Sequence, residues 1–213
     1  MRYDPEQHHR RSIRLKGYDY SQAGAYFVTI CVQGRACLFG EIMRGEMHPS
    51  AAGRMVEQWW LELGRRYPAV QTDEYCVMPN LFHGIILITA ADGADATGAA
   101  LRGHSGGQPP ASGQPRRVAP TNGAVITAPT LGAVIDWFKT MTTNEYIRGV
   151  KTLDWPPFER RVWQRNYYEH IIRSEAELNR IQAYIASNAL RWALDMENPL
   201  AHTPAAPAAQ WQR

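Results

Sequence analysis

The chain has 213 residues, 45% of them hydrophobic, and a formal net charge of +3, which fits one domain, or one domain with an appendage. No run of 18 apolar residues suggests a membrane span, and the first residues lack the apolar core of a signal peptide. Cys31, Cys37 and Cys76 follow no zinc spacing and read as buried or free thiols of a reducing cytosol.

Residues 1–17 are polar and basic and are expected to form an arm. Residues 26–32 are rich in β formers and predict a strand; Gly34 and Arg35 then turn the chain into a second strand over 36–42, a hairpin. Over 50–63, Met55, Val56, Trp59, Trp60 and Leu63 recur at helical spacing. Two further strands are expected at 70–78 and 82–89. Residues 90–128 are dominated by Ala, Gly, Pro, Ser and Thr, too little apolar surface to order a loop, although Arg102, Arg116 and Arg117 leave it a possible contact for DNA. A helix over 130–148 would turn Leu131, Val134, Ile135 and Phe138 inward, and 158–168 returns as a strand. Ser174 and Glu177 form a capping box that opens a helix with Leu178, Ile181 and Ile185 facing the core. The order strand, helix, strand, strand, helix, strand predicts an α+β, ferredoxin-like sandwich, a central antiparallel sheet backed by helices. The expected organisation is an arm at 1–17, a domain at 18–195 interrupted by the 90–128 insert, and a tail at 196–213.

The densest chemistry lies in two segments. Leu81-Phe82-His83 opens the buried strand; Leu81 and His83 point to one face because strand side chains alternate. Tyr184 and Asn188 are four apart, one turn above the other on a helix face. Taken singly, His83 reads as a structural histidine, Tyr184 as a half-buried helix tyrosine, and Asn188 as a helix C-cap. Two more segments accompany them. One is Arg10-Arg11-Ser12-Ile13-Arg14-Leu15 with Tyr18-Asp19-Tyr20-Ser21 and Gly24-Ala25-Tyr26-Phe27-Val28-Thr29-Ile30-Cys31. The other is Val162-Trp163-Gln164-Arg165-Asn166-Tyr167-Tyr168-Glu169-His170-Ile171-Ile172-Arg173.

Taken in chain order, these four segments resemble REP-associated tyrosine transposases, a branch of the single-tyrosine HUH transposases; the likeness spans residues 10–199 apart from the insert. The resemblance implies an enzyme that nicks and rejoins single-stranded DNA at hairpin (REP-like) sequences through a 5′-phosphotyrosine and a free 3′-hydroxyl. A tyrosine is the covalent nucleophile, and a divalent ion, Mg²⁺ or Mn²⁺, neutralises the phosphate. By the same resemblance Tyr184 is the nucleophile, and His83 and Asn188 are metal ligands. Leu81 stands where the family has its first metal-binding histidine. Its isobutyl group has no lone pair, so the resemblance implies weak or absent ion binding and impaired cleavage. The alternative is a homologue that holds hairpin DNA without cutting it; an unrelated ferredoxin-like regulator is a third reading. The implied setting is the bacterial cytoplasm at the nucleoid, as monomer or homodimer, with no membrane partner.

Basic residues are 20 Arg against 3 Lys, and guanidinium forks suit phosphates, although a GC-rich genome gives the same bias. Arg10, Arg11, Arg14 and Lys16 are candidate phosphate contacts, and Tyr18 and Tyr20 candidate stacking faces for unpaired bases. Trp163 and Gln164 read as packing residues and Arg165 as one phosphate contact. Tyr167 and Tyr168 are rival nucleophiles by chemistry alone, and His170 a spare ligand or a structural histidine.

Overall fold

β1 (Gly24–Cys31) carries side chains that are buried on both faces, so it must lie inside a covered sheet. A 3-10 turn follows, then a short hairpin of β2 (Gly40–Met43) and β3 (Glu46–Pro49). Ser50 caps α1 (Ala51–Leu61) by accepting from Gly53 N, and a single turn, α2 (Leu63–Arg66), leads to β4 (Val70–Val77) and β5 (Leu81–Ile88). Thr130 likewise caps α3 (Leu131–Thr152). β6 (Tyr168–Ile172), α4 (Glu175–Ala186), the single turn α5 (Asn188–Arg191) and a 3-10 turn (Trp192–Leu194) are the remaining elements among the described residues. These come from a computed structural model that describes residues 17–89, 128–195, 197–199 and 201. Arg10, Arg11, Arg14 and Lys16 of the expected arm, Arg102, Arg116 and Arg117 of the insert, and most of the expected tail lie outside the described residues.

The main sheet has the order β4-β5-β1-β6, antiparallel throughout. With the helices between these strands, this is the ferredoxin-like α+β sandwich that the element order predicts. α1 and α3 cover one face, where Trp60, Phe82, Phe138 and Tyr146 are fully buried. Gly84 makes that packing possible: a Cβ there would stand 2.8 Å from Trp60 Cη2 and 2.9 Å from Phe82 Cε1. α4 covers the other face, with Ile181 and Ile185 on Phe27 and Ile85. No described helix is long and apolar enough to cross a membrane.

Two sequence expectations are corrected. The hairpin of 26–32 with 36–42 does not form. Both edges of Val32 are taken, by Asn80 O (Val32 N donates, 2.8 Å) and by a bridge to Trp163, so β2 pairs with β3 instead. The strand at 158–168 is instead an irregular crossing with left-handed backbone at Arg160, and the edge strand begins at Tyr168. The α3 helix also runs four residues beyond the expected 148, to Thr152.

Candidate active site

β5 and α4 build the site between them. Along one row of the sheet, Tyr168 of β6 pairs with Thr29 of β1, Thr29 with His83 of β5, and His83 with Cys76 of β4. This row lies on the α4 face. His83 is buried, its ring stacked on Phe27 at 5.5 Å between centroids, and its Nδ1 lies 2.8 Å from Thr29 Oγ1. Burial pushes its pKa down to about 3, so the ring is neutral. In the tautomer in which Nδ1–H donates to Thr29, Nε2 carries a free lone pair; in the structure Nε2 is buried with no hydrogen-bond partner.

Tyr184 descends from α4 onto this row. Its ring makes edge contacts with His83 at 5.5 Å and with Phe27 at 6.2 Å. Burial raises its pKa, as does the Asp195 carboxylate, while the Asn188 side chain and Arg191 oppose the shift. The helix does not run unbroken from Tyr184 to Asn188: α4 ends at Ala186, Ser187 folds its hydroxyl back to Ala183 O, and Asn188 opens α5. Asn188 is nonetheless buried, with Oδ1 unpartnered. One chain alone therefore brings Tyr184, His83 and Asn188 together.

Leu81 is two residues from His83 on the same face and is buried with Met78 and Trp192, against Ile42, Cys31 and Ala189. A divalent ion can be tested against these residues. The available donors are one ring nitrogen and one amide oxygen, both neutral. Cys31, opposite Leu81, and Cys76, opposite His83, are both pushed up to about 11 by burial, so neither is a thiolate. Among the described residues no group of three or more His, Cys, Asp or Glu is arranged to hold a metal. Mg²⁺ and Mn²⁺ prefer several oxygen ligands, carboxylates among them. The residues present do not fit a resident ion of this kind.

The other candidates fall elsewhere. Tyr18 and Tyr20 pack on Tyr26, on the α1 and α3 face, so they do not border Tyr184. Tyr167 is buried there too, under Lys139 Nζ at 5.2 Å, which removes it as a rival nucleophile. Tyr168 is 38% exposed at the sheet edge, its ring 6.4 Å from Phe27. His170 is held by Glu177 at 2.7 Å, a structural pairing that also closes the start of α4. Trp163 is core, with Nε1 donating to Thr142 Oγ1 at 2.8 Å, and Arg165 is exposed. Sequence reading missed Thr29, which orients His83, and Trp192, which seals Leu81. It also missed Asn80, whose buried amide donates to Arg35 O at 3.1 Å and to Glu197 O at 2.7 Å. The strand register reveals the first of these contacts, and tertiary packing the other two.

A Haemophilus influenzae protein described only as uncharacterized is 37% identical over 195 residues, covering 91% of this chain and 96% of its own length. Among solved structures, a REP-associated tyrosine transposase bound to a REP hairpin shares the fold: TM-score 0.50, 14% identity, covering 84% of this chain and 74% of that one. No family model matches the chain.

Proposed function

We propose that this chain, a member of one family with the Haemophilus influenzae protein, is a single-stranded-DNA-acting protein of the REP-associated tyrosine transposase type that retains hairpin recognition and is crippled in strand nicking. The observation that carries the reading is the meeting of Tyr184, His83 and Asn188 on a fold shared with a hairpin-bound transposase, with Leu81 closing the position beside His83. In this reading Tyr184 is the nucleophile and acts within its own chain. The Asn188 side chain favours the phenolate, but burial and Asp195 hold the proton in place. Here Leu81 offers nothing in place of the missing ligand, so binding of hairpin DNA outlasts cutting. The setting is the bacterial cytoplasm, on chromosomal DNA.

The test is a labelled hairpin oligonucleotide with a single-stranded flank, incubated with Mn²⁺ and either the native chain or its Leu81→His variant. The expected result is binding by both, with a covalent protein–DNA adduct formed by the variant at a far higher rate. Failure of both proteins to bind the hairpin would overturn the reading; equal adduct formation would overturn the role given to residue 81.

A further inference from the structure

An open groove of about 460 Å³ lies away from the tyrosine, between α3 and the irregular crossing that precedes β6. One wall is a polar ridge of α3. Asp136, Thr140 and Asn144 stand four apart, so they line one face of the helix. The other wall is the 160–165 segment. Lys139, Arg160, Arg161 and Arg165 bring four cations to the groove against the single carboxylate of Asp136. Lys139 is committed to the wall itself, donating to Gln164 O at 3.1 Å and Arg165 O at 3.2 Å, so it fixes the segment's course. The three arginines are exposed, and their guanidinium groups make no hydrogen bond or ion pair among the described residues. Arg160 also holds left-handed backbone, φ 60°, uncommon for a residue with a Cβ.

The groove's position says what it can hold. Trp163 bridges Val32, Gln164 N donates to Cys31 O at 2.9 Å, and β6 begins opposite Thr29. The 160–165 segment and β6 thus follow one another along the same edge of β1. Three residues beyond Arg165 stands the exposed Tyr168, whose ring meets Phe27, and Phe27 in turn meets Tyr184. Guanidinium groups feeding onto an exposed aromatic ring are the means by which proteins hold unpaired strands: cations track phosphates and rings stack bases. A duplex would keep its bases from Tyr168.

We propose that this groove is a second DNA subsite, which binds the phosphates of the unpaired strand flanking a hairpin and leads it past Tyr168 to Tyr184. The inference rests on the DNA reading above and adds to it the strand's route. The groove pair Arg160→Gln with Arg161→Gln removes two cations and keeps side-chain length. The pair Arg65→Gln with Arg66→Gln removes the same charge from α2, outside the groove. Binding of each, and of the native chain, is measured over a salt series for a bare hairpin, for the same hairpin with a single-stranded flank, and for a polyglutamate peptide, with circular dichroism confirming folding. If both groove arginines touch phosphates, the log–log salt slope for the flanked hairpin becomes shallower by about 1.4, at ~0.7 per single-strand contact. The groove pair should then hold the flanked hairpin no better than the bare one, while the α2 pair keeps the native difference. A native chain that gains nothing from the flank, or groove and α2 pairs that behave alike, overturns the subsite and leaves hairpin binding standing. Loss of polyglutamate binding alone would reassign the groove to an acidic protein segment. A native chain that binds neither oligonucleotide would overturn the DNA reading and this subsite together.

Discussion

Replacing Leu81 by histidine should make the protein less stable without a divalent ion and markedly more responsive to one. Leu81 is fully buried against Met78 and Trp192. Exposing such a side chain costs about 1.5–3 kcal/mol, and the new imidazole would bury a ring nitrogen without a partner at about 1–3 kcal/mol more. At about 2–4 °C per kcal/mol for a chain of this size, the metal-free variant should melt roughly 10 °C lower. Residues 81 and 83 project from one face about 6.6–6.8 Å apart, near enough for two imidazoles to converge on one ion. At an Mn²⁺ concentration about 100 times the variant's Kd, binding returns ~2.7 kcal/mol. If one missing ligand weakens affinity by ~10–100-fold, the native chain gains only about 0.4–1.4 kcal/mol at the same concentration. Thermal unfolding of both proteins with and without Mn²⁺ reads this difference directly. Equal Mn²⁺ shifts in the two melting temperatures would show that residue 81 is not beside an ion-binding position.

Further substitutions probe the same reasoning. In the Leu81→His background, Tyr184→Phe removes only the hydroxyl and should abolish the covalent adduct on a denaturing gel while leaving hairpin affinity within about twofold, since roughly one modest hydrogen bond is lost; a surviving adduct would move the nucleophile to Tyr168. Gly84→Ala should destabilise by ~1–3 kcal/mol in urea unfolding, because the new methyl meets the buried Trp60 ring, and an unchanged midpoint would mean that ring can shift. His83 has a folded pKa of about 3, below its ordinary 6.5, so the unfolded chain takes up the proton first: its contribution is complete above pH 6.5 and is lost as pH falls toward 3. His83→Gln should therefore flatten the stability–pH slope between pH 6 and 4 by up to about 1.4 kcal/mol per unit, and a slope equal to that of the native chain would refute the burial account. Asn188→Leu removes an unpartnered buried oxygen and adds apolar burial; it should raise stability by ~1–3 kcal/mol while weakening hairpin binding, and a lower melting temperature would show that Oδ1 is already satisfied.

Much of the fold is legible because its signals are local. The buried run that becomes β5 and the capping box that opens α4 each declare an element and its inward face without reference to the rest of the chain. The failures are tertiary. Gly34 and Arg35 do take the left-handed conformations of a tight turn, φ 67° and 59°, yet the strand they would return to is already paired on both sides. The 158–168 segment has strand-like composition, but Trp163 is spent on the core and a bridge, and Lys139 ties down two carbonyls. The meeting of Tyr184, Asn188 and His83 is expected from the family likeness rather than from their separate spacings. The arginine groove lies between segments about twenty residues apart, and its cations converge only once α3 is packed.

The site is divided against itself in an informative way. On the Leu81 side the neighbours are Met78, Ile42, Trp192 and Ala189, so the leucine sits in a packed apolar cluster rather than in a polar gap left by a lone substitution. On the other side His83 Nε2 and Asn188 Oδ1 stay buried without partners, each a liability of about 1–3 kcal/mol that an apolar residue would remove. A site with no remaining role has no reason to hold two such atoms beside a buried tyrosine. Their retention fits a pocket that still meets a polar group, and in the DNA reading that group is a phosphate and its water brought against Tyr184. Asn188→Leu separates the two readings cleanly: a stabilised protein that no longer grips the hairpin keeps the pocket's role, whereas a stabilised protein with undiminished grip would mean that DNA is held outside the pocket.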